Sequence, residues 1–333
     1  MAFWDCSIMK RREFLAALGA ATAWPVVGRA QNEKRRIGIL MNFVAGDSVA
    51  EARLSNFLTT LEARGWTQGR NINIETRWAE GNTDRARKYA EELVALSPDL
   101  IFVTTTPGVT VLKRATNSIP IIFANVVDPV GAGLVASMSH PGGNATGFVP
   151  FEYALAAKWL ELLKEIAPSV TRAAVLRDSA VATGIGLFAA IQAVGSTGIE
   201  LSVIDVGDPA EMERGITAFA SKPNGGLIVT VSQFAGTHPG LITALAARNV
   251  LPAIYPFRYF VDVGGLLAYG PGLFEEYRGA AEYVDRVLRG QKTAELPVQT
   301  PTKYELSINL KTANALGIKV PPILLSRADE VIE

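Results

Sequence analysis

Short runs of apolar, β-branched residues alternate with amphipathic stretches along most of this chain. Leu100–Val103 is an apolar run bounded by Pro98 and the Thr104–Pro107 cluster, the mark of a buried strand. Pro107 and Gly108 then open a helical stretch, Val109–Asn117, with proline in its first turn. Pro120 leads into a second β-branched run, Ile121–Val127, which ends at Asp128-Pro129. A strand-helix-strand unit of this length implies two parallel strands joined by a right-handed crossover. Its polar residues fall at the carboxyl ends of the strands, where open α/β sheets bind ligands. The unit recurs over Lys222–Arg258: Pro98 answers Pro223, Thr104–Thr106 answer Thr230–Ser232, and Ile119-Pro120 answers Leu251-Pro252.

The remaining segments keep the same alternation. Arg36–Phe43 is almost continuously apolar, as a central parallel strand should be. Asp47 or Ser48 can cap a helix over Val49–Arg64, whose Leu54, Phe57, Leu58 and Leu61 share one face. Asn71–Arg77 alternates like a strand near a sheet edge, and Thr83-Asp84 starts a helix over Arg85–Leu96. Gly131–Ser139 reads as helical, and His140–Gly147 is rich in turn residues. In the second half, apolar strand centres recur at Ala173, Leu201, Leu227 and Ala253, with helical segments between them. The fold expected is α/β: two Rossmann-like doubly wound lobes with a ligand cleft between them. Residues 31–146 and 252–299 are assigned to the first lobe, and 147–251 with 300–333 to the second. The crossings then lie near Gly147, Leu251 and Thr300.

Composition narrows the class. Lysine plus arginine and aspartate plus glutamate both number 32, without a basic block, which argues against nucleic acid or an anionic membrane as partner. Residues 1–30 read as a cleaved export signal: Lys10-Arg11-Arg12, the apolar run Leu15–Val27, then small residues at Gly28-Arg29-Ala30. The paired Arg11-Arg12 is of twin-arginine type, which places the mature protein in the periplasm, and the apolar run is too short to span a membrane comfortably. The one cysteine, Cys6, lies within this segment, so the mature chain would have no disulfide and no thiol ligand.

Catalytic and cofactor patterns are sparse. Gly184-Ile-Gly186-Leu-Phe-Ala189 with Asp205 has the spacing of a dinucleotide fingerprint, but Asp178–Thr183 separate it from the strand it should follow directly. His140 and His238 each stand before a proline in a loop and in no triad, and no zinc-type histidine pair occurs. No cofactor, metal or catalytic residue is expected. The strand ends instead offer binding chemistry. Thr104, Thr105 and Thr106 stand at a helix N-terminus, where hydroxyls, free N–H groups and the helix dipole suit a carboxylate. Asp128 is placed to face an ammonium group. Ser232 answers from the other half, and Phe43, Phe234, Tyr255 and Tyr269 could cover an apolar ligand group.

The sequence resembles the TrpX-like group of ABC-transporter substrate-binding proteins over about Arg36–Glu333. The resemblance is carried by Glu92–Ile101, Asp128–Val135, Pro141–Gly147, Lys158–Lys164, Leu251–Phe260 and Leu296–Glu305. It implies a type I periplasmic-binding fold that captures a small solute, such as an aromatic or other amino acid, by hinge bending. The solute would pass to an ABC permease driven by a separate ATPase in the inner membrane, the mature receptor not itself spanning it. An exported sensor or enzyme on the same fold is the alternative.

Overall fold

The computed structural model describes residues 34–179, 182–194 and 198–333; the expected export signal lies outside them. The first sheet is built from β1 (Arg35–Met41), β2 (Ile72–Trp78), β3 (Leu100–Thr104), β4 (Ile121–Ala124) and β5 (Ala145–Gly147). Its order is β2-β1-β3-β4-β5, and every pairing is parallel. Three helices connect β1 to β4: α1 (Ser48–Ala63), α2 (Thr83–Ala95) and α3 (Thr106–Ala115). Asp47 caps α1 by accepting from the Ala50 N–H at 2.7 Å, and Asn82 caps α2 through the Arg85 N–H at 2.9 Å. The apolar face of α1 buries Leu54, Phe57 and Leu61, with Phe57 stacked on Phe102 at 4.2 Å. Gly131–Ser139, expected to be helical, is a series of turns. Asp128 accepts from the Gly131 N–H and Gly133 takes a left-handed conformation, so no helix propagates.

The second half begins with α4 (Leu155–Ile166) and runs through β6 (Arg172–Arg177), α5 (Ala182–Ala193), β7 (Glu200–Asp205), α6 (Pro209–Ala220) and β8 (Gly225–Val229). It continues with α7 (Gln233–Thr237), α8 (Pro239–Arg248), β9 (Ala253–Tyr255), α9 (Tyr259–Asp262), β10 (Leu267–Pro271) and α10 (Glu275–Leu288). Last come β11 (Tyr304–Asn309), α11 (Leu310–Ala315), α12 (Pro322–Arg327) and β12 (Glu330–Ile332). These strands make a seven-stranded sheet ordered β12-β11-β10-β9-β8-β6-β7, antiparallel only between β10 and β11. Trp159 of α4 is fully buried beneath this sheet and donates from Nε1 to the Tyr269 carbonyl at 2.7 Å.

The chain's division between the sheets corrects the expected boundary at 252. β9 pairs in parallel with β8 and β10 with β9, so residues 253–271 belong to the second sheet. The reason is local: β8-α8-β9 is itself a crossover unit, and its two strands must share a sheet. The chain returns to the first sheet only at α10, which buries Tyr277, Ala280, Ala281, Val284 and Leu288 in the core formed with β1, β3 and α1. Trp66 and Arg289 both donate to Asp285 and fix that helix in place. The crossings after β5 and before β11 run side by side: Val149 N–H donates to the Gln299 carbonyl, and Gln299 N–H to that of Gly147, both at 2.9 Å. Among the described residues no helix is long and apolar enough to cross a membrane.

Candidate functional site

In each sheet the strand order reverses once, between β1 and β3 and between β6 and β8, and the carboxyl ends at the first of these points open onto a cavity between the lobes. Its volume is about 190 Å³. From the first lobe, Asn42 and Phe43 follow β1, Asp47 and Arg53 belong to the start of α1, Thr105 and Thr106 open α3, and Asn125 follows β4. From the second lobe come Ser232, Thr237, Phe257 and Tyr259.

Backbone strain is concentrated where the first-lobe strands end. Thr105 lies at φ 68° and ψ 153°, a region otherwise left to glycine, and Asn125 has φ 57°. Such conformations cost on the order of 1–3 kcal/mol each and persist only where surrounding contacts hold them. Here Thr105 N–H donates to the Ala124 carbonyl and its hydroxyl accepts from Asn42 Nδ2 at 2.9 Å. Thr105 occupies the N-cap of α3 without using its side chain as a cap, which leaves the helix's first N–H groups unmatched by that hydroxyl.

Four of the nine expected ligand residues, Phe43, Thr105, Thr106 and Ser232, line this cavity, and five do not. Thr104 is fully buried, its hydroxyl accepting from the Asn42 N–H at 2.9 Å. Asp128 is exposed and spends a carboxylate oxygen on the Gly131 N–H, so it serves a turn and does not face the cavity. Tyr255 is buried in the second lobe's core, stacked on Phe260 at 5.0 Å. Phe234 stacks on His238 at 4.3 Å, and Tyr269 on Tyr304 at 5.8 Å. The glycines of the dinucleotide-like motif lie inside α5, where a Cβ on Gly186 would stand 2.6 Å from the Tyr153 ring. Close packing explains them, not a phosphate loop. Among the described residues no cluster of metal-ligating side chains occurs.

The charged groups of the site went unrecognised in the sequence. Arg53 is only 8% exposed, and its guanidinium lies 5.8 Å from the ring centres of both Phe257 and Tyr277. It makes no side-chain hydrogen bond or ion pair among the described residues, and its Nε is buried without a partner. Asn42 Oδ1 is likewise buried and unpartnered. Behind them Glu276, the second residue of α10, is 7% exposed and accepts from the Asn125 N–H at 2.7 Å. Burial pushes its carboxyl group up to about 7, against the opposing pull of Arg53 and the Asn125 N–H. Burial also pushes the Tyr259 hydroxyl up to about 12, with Arg53 opposing and Asp47 reinforcing. The signal for Arg53 was present: with Ala50, Leu54, Phe57 and Leu61 it makes an arginine inside the apolar stripe of α1.

Residues 36–332 match the family model described as ABC transporter substrate binding protein. The chain is 28% identical over 288 residues to a tyrosine-binding protein of Clostridioides difficile (strain R20291), covering 86% of this chain and 82% of the relative. A Streptococcus pneumonia ABC domain in complex with L-Trp superposes with a TM-score of 0.80 at 26% identity, over 90% of this chain and 100% of that one. A ligand-free, open substrate-binding protein with adhesive properties from Clostridium difficile gives 0.70 at 25% identity, over 90% and 99%. With its two largely parallel sheets and the cavity between them, the chain belongs to the ABC transporter substrate-binding protein family and is a solute-binding receptor with the type I periplasmic-binding fold.

Proposed function

We propose that this receptor captures an amino acid with an aromatic or other apolar side chain and does so without turning it over. The observation that carries the reading is the composition of the inter-lobe cavity. Hydroxyls and a helix N-terminus stand beside a buried guanidinium, and Phe43, Phe257 and Tyr259 supply apolar and aromatic walls. Relatives named for tyrosine and bound to L-Trp support the same class. The better superposition on the L-Trp complex than on the open, ligand-free relative, at nearly equal identity, supports lobes that close over the solute. Residues 1–30 direct the protein to the periplasm by the twin-arginine route, and an ABC permease with its ATPase in the inner membrane receives the solute. Native mass spectrometry of protein purified without denaturation tests the reading: a retained mass equal to an amino acid supports it. A retained sugar, or chemical conversion of added tryptophan or tyrosine, would overturn it.

A further inference from the structure

Three charged side chains are deeply buried among the described residues: Arg53, Glu276 and Asp285. Asp285 is paired, accepting from Trp66 Nε1 at 2.8 Å and from Arg289 Nε at 2.6 Å. Arg53 and Glu276 are not paired with each other by any contact within ion-pair range; Arg53 lines the ligand cavity, and Glu276 lines a separate cavity and reaches the first through the Asn125 N–H. Buried guanidinium groups without a carboxylate are costly, and such a group at a cavity wall has the planar, two-pronged geometry that a carboxylate matches. The acid that lines the cavity with Arg53 is Asp47, which commits an oxygen to the Ala50 N–H at 2.7 Å. Asn42 Oδ1 adds a buried acceptor lacking a donor on the same cavity, the complement of an ammonium group.

We infer that Arg53 anchors the ligand's carboxylate while Asn42 Oδ1 accepts from its ammonium group, and that Glu276 is the counter-charge of Arg53 that takes up a proton when the ligand arrives. The inference rests on the amino-acid reading above. The groups facing Glu276 are Arg53 from α1, the Asn125 N–H after β4, and Glu275 and Tyr277 on its own helix; Arg278 and Glu282 line a second cavity together with it. Of these, Arg53 is the cation that holds the Glu276 carboxyl group down against burial. A ligand carboxylate on Arg53 cancels that pull, and Glu276 then binds its proton more tightly. By linkage, binding takes up a fraction of a proton near neutral pH, and affinity falls as pH rises above about 7.

Titration calorimetry with L-tryptophan and L-tyrosine, and with their carboxamides, tests this from pH 6 to 8.5 in two buffers of different ionisation enthalpy. The parent protein should bind the acids at least roughly tenfold more tightly than the amides, with proton uptake. Arg53→Gln should abolish that preference, and Arg53→Lys, which keeps the charge, should retain part of it. Glu276→Gln should bind but without proton uptake. If the parent protein binds acids and amides alike, or Arg53→Gln keeps the acid preference, the anchor is wrong and the amino-acid reading stands. Proton uptake that survives in Glu276→Gln overturns the counter-charge. If neither acids nor amides bind while arabinose or myo-inositol does, the amino-acid reading falls and takes the inference with it.

Discussion

Replacing Glu276 by glutamine should make the ligand-free protein less sensitive to pH between about 4.5 and 8. Burial raises this carboxyl group from its ordinary 4.5 to about 7 in the folded protein, so the folded form holds the proton more tightly than the unfolded chain does. The stability this group contributes is therefore whole below about pH 4.5 and is lost as pH rises through 7. At ~1.4 kcal/mol per pH unit the loss totals about 3 kcal/mol. Glutamine keeps an acceptor for the Asn125 N–H, now bonded at 2.7 Å, and resembles the protonated acid in size. Parent and variant should thus be equally stable near pH 4.5, with the variant ahead by about 3 kcal/mol at pH 8. Urea unfolding followed by tryptophan fluorescence, on protein dialysed free of small solutes, measures the difference and cancels the titration of every other group. Curves that run parallel from pH 5 to 8 would refute the reasoning, because Glu276 would then not be titrating in the folded state over that range.

Trp159→Ala should cost about 3–5 kcal/mol in urea unfolding, since it empties a fully buried site and frees the Tyr269 carbonyl. Gly147→Ala should lower stability and disturb the crossing between lobes, because a Cβ there would stand 2.0 Å from the Phe123 carbonyl oxygen; an unchanged melting temperature would count against that geometry. Small-angle scattering should show a more compact particle once saturating L-tryptophan is added, and identical profiles would remove the hinge. Changing Arg11 and Arg12 together to lysine should block export of the mature protein, as cell fractionation would show.

The βα alternation was legible because buried parallel strands and amphipathic helices have different periods, and most strands lie where the pattern puts them. Lobe membership of residues 252–271 was less legible. Apolar runs such as Ala253–Tyr255 pack equally well in either sheet, and only the β8-α8-β9 crossover decides between them. Among the aromatic residues, Tyr255 and Tyr259 lie four apart in sequence, yet one is core and the other lines the cavity. Composition cannot separate them, because the difference is set by where β9 stops. Arg53 was hidden for the opposite reason. An arginine near a helix start reads as solvated surface until the apolar residues around it are counted.

The two repeats explain why some strand-end polar residues serve the cleft and others do not. Thr104 is the last residue of β3 still paired in the ladder, opposite Ala124, and its hydroxyl is used up by the Asn42 N–H. Its counterpart Thr230, just past β8, is also buried, and its hydroxyl donates to the Leu176 carbonyl of β6 at 2.7 Å. Both hydroxyls tie neighbouring strands together at the floor of the cleft. The cavity is lined by residues just beyond them: Asn42 and Phe43 past β1, Thr105 and Thr106 past β3, Asn125 past β4, and Val231 and Ser232 past β8. At Thr105 and Asn125 this release from the ladder coincides with positive φ, which turns the chain sharply out of the sheet. In a buried parallel sheet, a polar residue inside the ladder must satisfy itself on a neighbouring strand; one step later it also borders the cavity and can reach a ligand.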